Sequence, residues 1–79
     1  EDAAIQIFPN PAQDLLTIIA NELEINSVEI ISVQGQLLLN RMGIGSNHLD
    51  LDLKEFARGL YFVRIETQNG WTTRRLVLE

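Results

Sequence analysis

Apolar residues in this chain come in short segments of four to eight, each bounded by Gly, Asn, Pro or Asp, and nowhere do they repeat at the 3.6-residue interval of a helix. A helical fold needs that interval to bury one stripe of each helix, so the pattern excludes a bundle and predicts strands. The candidate strands are residues 4–8, 15–20, 27–33, 36–40, 47–53, 60–67 and 71–78. Short strands recurring about every ten residues predict an all-β sandwich of about seven antiparallel strands, each sheet hiding one face. Residues 1–79 leave room for one such unit and no second domain.

Turn chemistry sets the expected pairing. Asn69-Gly70 matches the two positive-φ positions of a type I′ hairpin, which would pair Gln68 with Trp71. That register sets Tyr61 opposite Leu78, Val63 opposite Leu76 and Ile65 opposite Arg74 on an inner face. Phe62 then opposes Val77 and Arg64 opposes Arg75 on an outer face, with Glu66 diagonal to Arg75. Gln34-Gly35 predicts a second hairpin, its glycine taking the left-handed backbone. One short helical turn is expected between Asp52 and Gly59. Asp52 and Glu55 resemble a capping box, Gly59 a helix-stopping glycine, and Leu53 with Phe56 a plug on the open end of the sandwich.

Charge and composition exclude most chemistries. A net charge of −5 repels phosphate backbones and anionic membrane surfaces, which argues against nucleic-acid binding, and no apolar run is long enough for membrane insertion. The absence of cysteine removes thiolate nucleophiles and sulfur-ligated metals. Along residues 47–53 the leucines Leu49, Leu51 and Leu53 alternate with His48, Asp50 and Asp52. A metal site on the polar side is geometrically conceivable, but a solvated strand face carries such residues routinely, and no metal or cofactor is assigned. Asp50 and Asp52 lack a cleft that would make them a hydrolytic pair. Ser27, Ser32 and Ser46 share a single histidine and no nucleophile elbow. No catalytic residue is expected.

Phe8-Pro9-Asn10-Pro11 should end the first strand in a stiff corner, with Asn10 bonding the backbone of the turn that follows. Two prolines are too few for a proline-rich SH3 ligand. The start from Ile5 to Pro11, then Asp14 and Leu16-Thr17-Ile18, Val28 to Val33 leading to Gly35-Gln36-Leu37, Leu49-x-Leu51-x-Leu53 leading to Phe56 and Gly59-Leu60-Tyr61-Phe62-Val63-Arg64-Ile65, and finally Arg75-Leu76-Val77, together resemble the type A C-terminal sorting domain of Bacteroidetes type IX secretion cargo. The likeness runs from residue 5 to 78; Arg74-Arg75 stands where the family more often has lysine, and Glu79 extends the last strand.

That resemblance implies an immunoglobulin-like sandwich acting as a non-catalytic address on a larger secreted protein. The implied partners are the type IX translocon, a surface sortase and a covalently linked N-terminal cargo domain. Export through the periplasm to the cell surface or beyond is implied as well. Glu1-Asp2 in place of an initiator Met, with no signal peptide in residues 1–20, suggests a piece of such a protein. A sorting signal must present the same rigid surface whatever the cargo, so recognition is expected on the outer face of the last hairpin, at Phe62, Arg64, Arg75 and Val77, and on the open edge of the final strand. Pro9, Asn10, Pro11, Gly35, Gly59 and Tyr61 are assigned mainly to the fold. The competing function is a carbohydrate-binding or adhesive module, for which Trp71, Tyr61 and Phe62 would supply the stacking platform.

Overall fold

The computed structural model describes residues 4–79; the start of the expected domain, residues 1–3, lies outside the described residues. Seven strands follow one another: β1 Ile5–Phe8, β2 Leu15–Ala20, β3 Ile25–Ser32, β4 Leu37–Ser46, β5 His48–Asp52, β6 Gly59–Thr67 and β7 Gly70–Leu78. They form two sheets, ordered β1-β2-β5 and β4-β3-β6-β7, in which every strand pair is antiparallel. This is the two-sheet sandwich expected from the two-residue period, with the immunoglobulin-like architecture that the family resemblance implies.

The core is the sum of the inward halves of those strands. Leu16, Ile18 and Ala20 of β2 and Leu51 of β5 belong to the same buried cluster as Val28 and Ile30 of β3, Tyr61, Val63 and Ile65 of β6, and Leu76 and Leu78 of β7. Alternation is what produces it, because successive side chains of a strand leave on opposite faces. In β6 the buried residues are Tyr61, Val63, Ile65 and Thr67, and each residue between them is half-buried. Leu49 and Leu51 likewise turn inward while His48, Asp50 and Asp52 stay exposed, as expected.

The last hairpin departs from its expected register by two residues. Thr67 pairs with Gly70, so Tyr61 opposes Leu76, Val63 opposes Arg74, and Ile65 opposes Thr72; on the outer face Phe62 opposes Arg75, Arg64 opposes Thr73 and Leu60 opposes Val77. A type I′ turn would need positive φ at both Asn69 and Gly70, but only Gly70 has it, at +106°. The loop is instead centred on Gln68 and Asn69, with Gly70 as the left-handed residue that follows and Thr67 Oγ1 accepting from the Asn69 amide at 3.1 Å. A shift of two keeps every side chain on its expected face, and it removes the Arg64–Arg75 opposition that like charges disfavour.

Gly70 therefore carries a measurable prediction. A Cβ built there meets nothing within 4 Å, so substitution costs backbone strain and no clash. Gly70→Ala should destabilise by about 1 kcal/mol, and D-alanine at the same position, whose preferred φ is positive, should not. Chemical denaturation of the two synthetic chains decides this; equal losses would place the cost in packing.

Two other expectations change. There is no helical turn between Asp52 and Gly59. The Phe56 amide donates to the Leu53 carbonyl at 3.0 Å, and Asp52 Oδ1 accepts from the Lys54 amide at 3.0 Å, so the segment is a single reverse turn opened by an aspartate. One hydrogen-bonded turn without a following apolar repeat has nothing to propagate it into a helix. Leu53 is still fully buried and Phe56 still packs against the core. Strand β4 runs on past Asn40 to Ser46, because β3 begins at Ile25 and gives it a longer partner. The register jumps between Ile25 and Ser27, and Gly43 and Gly45, both at φ +66°, lie in the stretch of β4 that absorbs the extra residues.

Candidate outer-face surface and the strap on the last strand

The four residues singled out from the sequence, Phe62, Arg64, Arg75 and Val77, share the outer face of the four-stranded sheet. Cross-strand pairing brings Phe62 against Arg75 from β7 and Ile31 from β3, and Leu60 against Val77. Phe62, Ile31 and Val77 are half-buried while Leu60 and Arg75 are exposed. The result is an apolar ridge with a guanidinium on its flank. Among the described residues no acidic side chain pairs with Arg75.

Arg64 is differently placed. It lies directly opposite Glu29 of β3, and its Nη1 donates to Glu29 Oε1 at 2.9 Å. Its guanidinium also sits 4.5 Å from the centre of the Trp71 ring, the diagonal neighbour across the hairpin. Half-exposed ion pairs and cation–π contacts of this kind contribute about 1 kcal/mol together, and they hold the side chain flat against the sheet. Glu29 was not foreseen, because the pairing of β3 with β6 joins residues thirty-five apart with no turn to fix the register. The sequence signal was limited to a lone acidic residue at an outward position of β3.

Of the three aromatic residues considered for sugar stacking, Tyr61 faces the interior with its hydroxyl donating to the Ala57 carbonyl, Phe62 is wedged within the outer sheet face, and Trp71 is stacked under Arg64. They do not converge on one platform. His48 Nε2 lies 3.4 Å from Asp50 Oδ1, Thr17 Oγ1 donates to the same carboxylate oxygen at 2.7 Å, and Asp52 is engaged by the Lys54 amide. Among the described residues no three acidic or imidazole groups gather at one point.

The final strand's edge is not open, contrary to expectation. Asn10 does not bond its own turn. Its Nδ2 donates to the Arg75 carbonyl at 2.8 Å and its Oδ1 accepts from the Val77 amide at 3.1 Å, so the side chain imitates a strand residue. Ala12 continues the contact as a parallel bridge to Leu78, its amide donating to the Val77 carbonyl at 2.8 Å and its carbonyl accepting from the Glu79 amide at 2.9 Å. Both flanking prolines lack the N–H that would extend pairing, and both prolyl peptide bonds are cis. On the far side Arg58 binds the Gln13 carbonyl and Asp14 Oδ1, and the Leu53 amide donates to the Asp14 carbonyl at 2.7 Å. Residues 9–14 thus cross from one sheet to the edge of the other.

In the turns, Gly35 has φ +94° and donates to the Ser32 carbonyl at 2.9 Å, as a turn glycine should. Gly59, at φ +144°, opens β6 opposite Leu78.

Comparison with known proteins agrees with this architecture. No curated protein sequence matches the chain. Among solved structures it is similar to CopC from Methylosinus trichosporium OB3b, with a TM-score of 0.57 over 95% of this chain and 93% of that one at 14% identity, a likeness of fold alone. The model of the secretion system C-terminal sorting domain matches residues 6–79. With residues 6–79, nearly its whole length, matched by that model, the chain belongs to the family of type IX secretion C-terminal sorting domains.

Proposed function

We propose that this domain is a non-catalytic sorting signal whose outer face, at Phe62, Val77 and Arg75 with Arg64 held beside them, is read by the type IX export machinery, and that a cargo domain precedes it in the parent protein. Family membership over residues 6–79 is the observation that supports a role as signal and not as enzyme. The choice of surface rests on the apolar ridge of Leu60, Phe62 and Val77 lying beside Arg75, a cation that no acidic side chain pairs with among the described residues. A partner offering an apolar groove rimmed by carboxylate would desolvate the ridge and pair Arg75 at once. Arg64 contributes by position, since Glu29 and Trp71 already occupy its guanidinium. In this reading the cargo crosses the periplasm and a surface sortase acts in the linker upstream.

Replacing Arg75 with Glu and Val77 with Ser in a full-length cargo tests the surface. Both positions are on the outer face, so the domain should remain folded by circular dichroism while surface-delivered cargo falls at least about tenfold and the periplasmic pool rises. Undiminished surface delivery of the folded double variant rejects this face as the one that is read.

A further inference from the structure

We propose that residues 10–12 are a detachable strap over β7, and that the edge they leave bare pairs with the same edge of a second copy of this chain. The inference rests on the fold and not on what reads the outer face, although the pairing engages the Arg75 and Val77 side chains of that face.

The strap closes three backbone groups of β7, the Arg75 carbonyl and both polar groups of Val77, and a fourth just past its end, the Glu79 amide. It does so with little of its own buried. Pro9, Asn10 and Pro11 are exposed, and Ala12 alone reaches the core. Strand β7, in contrast, is held to β6 along nine paired positions and buries Leu76 and Leu78. Segments with few buried apolar contacts open at lower free energy than the sheet they cover. The strap is therefore the first part of this edge to leave, and the prolines that bracket it prevent it from being a strand that another strand could extend.

What the bared edge presents is self-complementary. Two β7 strands running antiparallel about Val77 would place Val77 against Val77 of the second copy, and Arg75 against Glu79 of the second copy, twice over. This is an isologous arrangement in which each free cation meets a carboxylate. The hydrogen bonds it makes use the same four groups that the strap satisfies, so strap and second copy compete for one site. With the strap attached the domain stays a monomer.

Alternate amides of β7 face opposite neighbours, which allows the strap to be read separately from the sheet. In hydrogen exchange by NMR on the 79-residue chain, Val77 and Glu79 should exchange at least about tenfold faster than Leu76 and Leu78, which face β6. Equal rates on the two sides would mean that the strap opens only when the sandwich unfolds, and would overturn the proposal. Asn10→Ala should then produce a dimer by sedimentation equilibrium at concentrations where the parent chain is monomeric. If that variant fails to fold, Asn10→Asp, which keeps the acceptor for Val77 and loses the donor to Arg75, should give a weaker shift in the same direction. Adding Arg75→Glu should return the Asn10 variant to monomer, and adding Glu79→Arg to that chain should restore the dimer. A strap variant that stays monomeric at millimolar concentration, or a dimer indifferent to both charge reversals, would refute the pairing.

Discussion

Ile30→Ala should lower the unfolding free energy by about 3 kcal/mol, while Ile31→Ala, one residue on, should cost less than about 1 kcal/mol. Ile30 is fully buried in the middle of β3, paired with Leu39 on one side and Val63 on the other, and β3 is an interior strand of the four-stranded sheet. Removing its outer carbons leaves a cavity that neither neighbouring strand can fill without breaking register. Ile31 has the same chemistry and the opposite face. A domain of this length has a total stability of about 4–12 kcal/mol at the usual per-residue rate, so the first substitution removes a quarter or more of it. The thermal midpoint should fall by roughly 12–24 °C for Ile30→Ala. Urea unfolding of both variants measures the contrast, and similar losses at the two positions would mean that the outer face is covered as completely as the core.

That contrast was readable in the sequence, because period-two alternation assigns a face to every strand residue before any partner is known. Val63 and Ile65 inward, Phe62 and Arg64 outward, and the leucines of β5 inward all followed from it. Registers were less legible. Asn69-Gly70 marks a hairpin, but the same dipeptide serves a two-residue turn or a wider loop with a bulge, and only the sign of φ at Asn69 separates them. Pairings without a turn were not legible at all. Glu29 against Arg64, and Asn10 against Arg75 and Val77, join residues thirty-five and more than sixty apart, where no local preference acts. The expected helical turn failed for the converse reason. Asp52, Glu55 and Gly59 carry the marks of a cap, yet an aspartate that closes a reverse turn looks the same in one dimension. A two-residue slip preserves faces, so Phe62, Arg64, Arg75 and Val77 still share the outer face, although Phe62 lies opposite Arg75 and not Val77.

Tyr61 should divide fold from recognition. Its side chain is nearly buried, its ring meets Phe56 edge-on at 5.7 Å between centroids with 72° between planes, and its hydroxyl donates to the Ala57 carbonyl. The residue thus pins the 53–58 segment, which has only one reverse turn of its own, onto the end of the sandwich. Tyr61→Ala deletes the ring and should cost about 3–5 kcal/mol, enough to unfold the chain at physiological temperature if its stability lies at the lower end of the expected range. Tyr61→Phe keeps the ring and leaves the Ala57 carbonyl to water, at a cost of about 1 kcal/mol. A double-mutant cycle with Phe56→Ala should return a coupling of about 1 kcal/mol for the edge-on contact. Function should follow stability here and nowhere on the outer face. Delivery of a cargo carrying Tyr61→Ala should recover as growth temperature is lowered and the domain refolds, whereas loss through Arg75 and Val77 should persist at every temperature. A defect in Tyr61→Phe as deep as that in Tyr61→Ala, in a domain of nearly unchanged stability, would instead make the hydroxyl part of what the machinery reads.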